Sequence, residues 1–492
     1  MKKALAAIGR LEIIVFVCGA IVMILELVGS RIVAPYFGNS LFVWTSLIGV
    51  ILGSLSLGYY LGGLAADKKH DYAVLSLIIL VAGCLVGLMA FLKEPVLYGI
   101  ASSIRDTRWA SMVSAIALFC IPSILLGMVS PFAVKLKMSE LKQSGKTVGS
   151  LYAISTLGSI VGTFAAGFWL IPLLGNTELT YILAILLILV SIVSSLRYLI
   201  IKIAILTIVI ILGYWIKGNI FHLNIIADID TQYSRILVKK MKFMQSDIIA
   251  MQNSNDAVQS AVYADGRADL VFDYTRSYEV SRSINPNIKT ALMIGGAAYT
   301  YPNYFASKYT ESNIDVVEID PQVSKIATKY FGLKERANLN IINEDARVYL
   351  KNNLKKYDVI FLDAFNASTP PYYLTTKEFF GDVSKSLQPN GFVMVNMVTA
   401  TEGQKSEFFN SQIATIGEKF SNIQTIPFSA PATAVGNRMV IAYFGDASWR
   451  GLEDPKLQYF LKDIKSQKPE AGASKLTDDH APVEYLTRNY SL

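Results

Sequence analysis

A chain of 492 residues that is 52% hydrophobic and only 17% charged is too long and too apolar to be a single water-soluble core. The net charge of +7 does not call for a nucleic-acid partner, because many basic residues stand in short loops between apolar runs, where they orient helices in a bilayer. The three cysteines, Cys18, Cys84 and Cys120, all fall inside apolar runs, which leaves the rest of the chain no disulfide framework, no thiolate metal site and no redox chemistry.

The apolar excess lies before about Ile216. Lys2, Lys3 and Arg10 precede an apolar stretch in the order of a signal peptide, but further spans follow, so the first is read as an uncleaved helix. Seven runs are long enough to cross a hydrocarbon core of about 30 Å: Leu11 to Val28, Leu41 to Ala65, Tyr72 to Leu92, Ala110 to Val134, Val148 to Leu174, Leu179 to Leu196 and Leu199 to Ile216. Gly53, Ser54, Ser56, Gly58, Gly62 and Gly63 in the second run, and Gly158, Gly162 and Gly167 in the fifth, let helix backbones approach closely and place both inside a bundle. Pro122 and Pro131 predict a kink in the fourth. Glu26 is a costly carboxylate inside the first span, and an ion pair with Arg31 is its expected relief. Lys2, Lys3, Arg10, Lys68, Lys69, Lys135, Lys137, Lys142, Lys146, Arg197 and Lys202 fall on one side, against Arg31, Lys93, Arg105 and Arg108 on the other. This bias predicts a multi-pass protein of the cell membrane, with the lipid bilayer as a partner and the N-terminus in the cytoplasm.

After Lys217 short β-rich runs alternate with helical stretches, as in a mostly parallel sheet with crossover helices. The expected strands are Ala291 to Gly295, Ile314 to Ile319, Leu339 to Ile342, Val359 to Leu362, Phe392 to Val398 and Met439 to Phe444, and Ser234 to Val238 with Ser260 to Tyr263 form a small β cap before them. Asp446 to Lys475 is polar and irregular and is left unassigned. The expected architecture is an all-α polytopic membrane block over residues 1–217, a linker and small β cap over 218–290, and an α/β doubly wound domain over 291–492.

In such a sheet the ligand sits at the carboxyl ends of the strands, near the reversal of strand order. Ile294-Gly295-Gly296-Ala297-Ala298 ends the first strand, and its glycines permit a tight turn and close backbone approach to a ligand. Val316-Val317-Glu318-Ile319-Asp320 ends the second and puts Glu318 where an acid accepts both hydroxyls of a ribose. Asn343-Glu344-Asp345-Ala346 follows the third, with a carboxylate placed to accept from an adenine amine, and Asp363 stands at the mouth of the sheet after the fourth. Singly, a Gly-Gly is often only a turn and a strand-end acid only a helix cap; in this order and spacing they form one site.

On Ala291-Leu292-Met293-Ile294-Gly295-Gly296, Val316-Val317-Glu318-Ile319-Asp320-Pro321, Tyr357-Asp358-Val359-Ile360-Phe361-Leu362-Asp363-Ala364 and the tail Leu476-Thr477-Asp478-Asp479-His480-Ala481-Pro482-Val483-Glu484, the chain resembles the spermidine synthases. With Leu25-Glu26-Leu27-Val28-Gly29-Ser30-Arg31 and Leu57-Gly58-Tyr59-Tyr60-Leu61-Gly62-Gly63 it is similar to membrane-fused members, in which a helical block precedes that domain. The resemblance implies a Rossmann-like, class I methyltransferase-like domain that transfers an aminopropyl group from decarboxylated S-adenosylmethionine, a co-substrate, to a small-molecule amine such as putrescine, without a metal and compatibly with a homodimer. It implies that Gly295, Gly296, Glu318 and Asp345 bind the donor, that Asp363 deprotonates the attacking amine, and that Asn366, Tyr233 and Tyr278 bind the acceptor. A carboxylate suits that role, since an ammonium must lose a proton before its nitrogen attacks a carbon next to a sulfonium.

The departures concentrate at the acceptor. Asn366 replaces a second aspartate that grips the diamine, a Tyr-Gln pair becomes Tyr233-Ser234, and a Tyr-His pair before Glu279 becomes Ser277-Tyr278. In the donor loop a third glycine becomes Ala297, with Tyr299 close behind. An acceptor other than putrescine, and a polyamine-like cation transporter or sensor with a degenerate adenosyl-binding domain, are the alternatives. Seven crossings would place the C-terminal domain outside, where adenosyl donors are scarce. His480, Asp478 and Asp479 are read as a surface loop.

Overall fold

The computed structural model describes residues 9–38, 40–104, 106–140, 144–218, 224–253, 258–364, 370–428, 430–445, 455–462, 464–488 and 490. The chain divides into two compact units, Met1–His222 and Leu223–Leu492.

In the first unit, six helices among the described residues are long and apolar enough to cross a membrane. They are α1 (Arg10–Phe37), α2 (Leu41–Lys68), α3 (Tyr72–Ser103), α4 (Thr107–Glu140), α5 (Ser144–Ala165, continued by a π turn at Ala166–Leu170) and α6 (Asn176–Ser194). The seventh expected span is the helix α7 (Leu199–Gly218), whose described apolar stretch, Leu199–Tyr214, is shorter than the other six. The small residues act as expected only in part: among the described residues a Cβ on Gly53, Gly63 or Gly167 would meet nothing within 4 Å, and α2 and α5 are the least buried of the six helices rather than the interior of the bundle. A Cβ on Gly158 or Gly162 of α5 would stand 2.0 and 2.5 Å from the Phe16 and Ala20 carbonyl oxygens of α1, and one on Gly58 of α2 would stand 2.2 Å from the Ile124 oxygen of α4. Pro122 and Pro131 both lie inside the unbroken helix α4.

Two further expectations for this unit are corrected. Among the described residues Glu26 makes no ion pair with Arg31, because five residues along a helix turn two side chains onto different faces. Ion pairs instead join Glu12 to Lys137 and Asp67 to Lys135. Lys202 lies inside α7 rather than in a loop, buried, with its ammonium on the Ser76 hydroxyl and the Ser191 and Ser195 carbonyls.

The second unit opens with an antiparallel sheet of β1 (Ile225–Asp230), β2 (Arg235–Phe243), β3 (Ser246–Gln252) and β4 (Val258–Tyr263), paired in that order. The main sheet contains β5 (Thr290–Ile294), β6 (Asn313–Val317), β7 (Leu339–Ile342), β8 (Tyr357–Leu362), β9 (Leu387–Thr399), β10 (Asn422–Pro427), β11 (Gly436–Tyr443) and β12 (Lys465–Ser466). Its order is β12-β10-β11-β9-β8-β5-β6-β7. β5 to β9 are parallel, as expected, and β10, β11 and β12 join antiparallel, so the sheet is mixed.

Both faces are covered. Ala291, Met293, Val359 and Phe361 enter one core, and Leu292, Ile294, Ile360 and Leu362 the other, which is why these strands read as continuous apolar runs. Strand order reverses between β5 and β8, so the carboxyl ends of these two strands flank a crevice. Asp478 of the tail takes the Arg347 guanidinium at 2.6 Å and the Thr376 hydroxyl at 2.7 Å, fastening the tail to two helix starts, while His480 stays exposed.

Candidate functional site

The turn after β5 is held in an unusual backbone shape. Gly295 has φ +91°, and a Cβ there would meet the Asp363 carbonyl oxygen at 2.3 Å. Ala297 and Tyr299 also take left-handed φ values, +44° and +55°, a conformation that costs a side-chain-bearing residue roughly 1–2 kcal/mol. Tyr299 stabilises it from below: its buried ring packs under Gly296, where a Cβ would clash at 2.7 Å, and its hydroxyl lies 2.8 Å from that of Ser324.

Glu318 stands at the end of β6. Its Oε2 accepts the Gly296 N–H at 2.8 Å and its Oε1 accepts the Asp320 N–H at 2.9 Å, so two backbone donors fix the carboxylate and leave further lone pairs on each oxygen. Burial raises its pKa, and these N–H groups oppose that rise. Asp345 caps the helix Ala346–Asn352 by accepting from the Arg347 and Val348 N–H groups at 2.8 and 3.2 Å. Tyr233, in the turn between β1 and β2, is held above the usual phenol range by burial and by the neighbouring carboxylates of Asp320, Asp345 and Glu318.

Asp363 stands at the end of β8, and its backbone N–H donates to the Ile294 carbonyl of β5 at 2.8 Å. The residue is open to the crevice, yet protein surrounds the carboxyl, and this desolvation pushes its pKa up to about 6. The side-chain amide of Asn396 on β9 donates to Asp363 Oδ1 at 2.8 Å and opposes the rise. Asn396 Oδ1 in turn accepts from the Asn437 amide of β11 at 3.0 Å. The two asparagines meet because β9 and β11 are paired with Asn437 opposite Val398, two residues on from Asn396 and on the same face.

These residues surround one cavity of about 400 Å³. Gly295, Glu318, Asp345, Asp363 and Tyr233 line it. Gly296 and Tyr278 stand behind its wall. Gly296 touches it only through the Glu318 bond, and Tyr278 is fully buried against Tyr301 and Phe361, next to Asp363. Asn366 lies outside the described residues. Glu279, just after Tyr278, is spent on Lys308, Tyr301 and Tyr309 at 2.8, 3.2 and 2.5 Å, a structural anchor. Five carboxylates line the cavity, those of Glu318, Asp320, Glu344, Asp345 and Asp363, and the lining contains no lysine, arginine or histidine among the described residues.

A spermine/spermidine synthase domain model matches residues 278–445, which span β5 to β11 and every crevice residue after Tyr278. The polyamine aminopropyltransferase of Vibrio vulnificus is 30% identical over 221 residues, which cover 42% of this chain and 71% of that protein. The chain belongs to the spermidine/spermine synthase family. A second relative, the probable polyamine aminopropyl transferase of Bifidobacterium longum, is 28% identical over 273 residues, 50% of this chain and 59% of its own length. Among solved structures, a probable spermidine synthase from Corynebacterium glutamicum matches with a TM-score of 0.43 at 21% identity, covering 51% of this chain and 96% of that one. Within this family frame the residues that sequence reasoning missed are Asn396 and Asn437. The first had a signal, a lone amide inside the apolar run Phe392 to Val398; the second had none until strand pairing placed it.

Proposed function

We propose that the domain transfers an aminopropyl group from decarboxylated S-adenosylmethionine to an amine. The observation that carries this reading is the charge of the cavity, which among the described residues has five lining carboxylates and no cationic side chain. A donor that kept its amino-acid carboxylate would be repelled there and would lack a cationic partner, whereas a sulfonium with an ammonium tail is attracted. The Gly295 turn gives the donor close backbone approach, and Glu318 and Asp345, whose carboxylates are fixed by backbone N–H groups, take its ribose and adenine. Asp363 holds the acceptor ammonium and removes one proton. The freed nitrogen pair attacks the propyl carbon next to the sulfonium, the carbon–sulfur pair passes to sulfur, and methylthioadenosine leaves. A carboxyl pushed up to about 6 suits a base that must take a proton near neutral pH.

The six long apolar helices are read as membrane spans, with the bilayer as partner. The test is calorimetric titration of the detergent-solubilised full chain with decarboxylated S-adenosylmethionine, S-adenosylmethionine and methylthioadenosine. The decarboxylated donor should bind more tightly than its carboxylated parent, and Glu318→Ala should weaken binding by about tenfold or more, the loss of a charged hydrogen bond. No heat from folded protein with any of the three ligands would end this reading.

A further inference from the structure

Beyond Asp363 the cavity wall changes character. It carries the neutral polar groups of Gln259, Tyr274, Asn396 and Asn437 and the apolar side chains of Val398 and Val435. Tyr274, Asn396 and Asn437 are already hydrogen-bonded: the Tyr274 hydroxyl donates to the Gln259 main-chain carbonyl, and Asn396 stands between Asn437 and Asp363. An ionised carboxylate only accepts, so Asp363 fixes which end of the Asn396 amide faces it, and Asn396 Oδ1 then fixes the sense of Asn437. The order Asn437, Asn396, Asp363 is therefore set by the acid. The last group this chain offers the cavity is the Asn437 amide oxygen, an uncharged acceptor.

We propose that the acceptor of this site is an amine with one ammonium group and an uncharged remainder, selected by the Asn396–Asn437 pair; the inference rests on the aminopropyl-transfer reading. The single carboxylate of this wall is committed to the reacting nitrogen. A second ammonium at the far end of a diamine would be stripped of water against amides, a phenol and two valines, with no opposite charge on the described residues of this wall to meet it. A chain ending in a hydroxyl finds the Asn437 oxygen, and one ending in a methyl finds Val398 and Val435.

The test compares putrescine, 4-amino-1-butanol and butylamine, which have the same four-carbon length, as acceptors for the purified full chain with saturating decarboxylated S-adenosylmethionine. Products are identified by mass, and methylthioadenosine release gives kcat/KM. One of the two monoamines should exceed putrescine by about tenfold, the worth of one uncompensated charge. Equal or better use of putrescine overturns the inference while leaving the transferase reading intact. Failure to bind the donor and to release methylthioadenosine with any amine overturns both. Asn437→Asp puts a carboxylate where the second ammonium would lie. It should move the ratio toward putrescine by about tenfold with donor binding unchanged, and an unmoved ratio removes the pair from acceptor choice.

Discussion

The two ends of the cavity, which we propose take the donor and the acceptor, are held by different means. At the donor end Glu318 and Asp345 are each fixed by two backbone N–H groups, and Gly295 is fixed by its own positive φ. At the acceptor end Asp363 is fixed by a side chain that is itself fixed by another side chain. Backbone donors are present whatever residues surround them, so a site built on them tolerates sequence change. A chain of side-chain amides depends on each member, so the acceptor end is where one substitution redirects both acidity and choice of substrate.

The sharpest way to break this comparison is Asp363→Asn. It should lower turnover by roughly a thousandfold, within the range of a lost general base, while leaving donor affinity within about twofold. It should also stabilise the fold. The native carboxyl titrates at about 6 against an ordinary 3.8, so between those values the native state holds a proton that the unfolded chain has released. Stability contributed by that proton is present below about pH 4 and is lost as pH climbs through 6, a cost of about 3 kcal/mol at neutral pH. Melting curves at pH 5 and 7.5 should show the variant's advantage growing with pH. An advantage that does not grow would place Asp363 in the ordinary carboxylate range.

Asn396→Leu tests the side-chain end without removing the acid. The Asn396 N–H favours the charged carboxylate, so its loss should raise the Asp363 pKa and move the acidic limb of kcat/KM upward by about one unit. Donor affinity should hardly change. A purely structural asparagine would lower activity equally at all pH values and leave the limb in place.

Gly295, Glu318 and Asp363 were legible because each follows a buried strand. Ile294, Val317 and Leu362 are apolar runs that stop at Gly295, Glu318 and Asp363, and a change from apolar to polar at a strand end can be seen without knowing the partner strand. The amide pair behind Asp363 was not legible, since Asn396 and Asn437 lie 41 positions apart and meet only through the antiparallel register of β9 on β11. β3 and β10 were missed for a related reason. Their sequences, Ser-Asp-Ile-Ile-Ala-Met-Gln and Asn-Ile-Gln-Thr-Ile-Pro, mix polar and apolar residues without a long apolar run, and pairing with neighbouring strands supplies what composition does not. Glu26 and Arg31 share one helix yet do not pair among the described residues, because closeness in sequence is closeness on a helix surface only for the third and fourth neighbours.

The smallest expected effect is that of Tyr278→Phe, and it probes how finely the acceptor end is tuned. The Tyr278 ring packs 4.9 Å from Tyr301 and 5.2 Å from Phe361, and its buried hydroxyl has no hydrogen-bond partner among the described residues. It lies near enough to Asp363 to favour the charged form without completing a bond, and burial, with that neighbouring charge, keeps the phenol protonated well above its usual range. Removing the hydroxyl should raise the acidic limb by less than Asn396→Leu does. Because an unpartnered polar group is lost and the ring stays, the fold should gain up to about 1 kcal/mol. Donor affinity should be unchanged, since the ring stands behind the wall. A loss of more than about 1 kcal/mol in a denaturant titration would show that the hydroxyl is hydrogen-bonded in solution, and Tyr278 would then join Asn396 as a group that positions the acid.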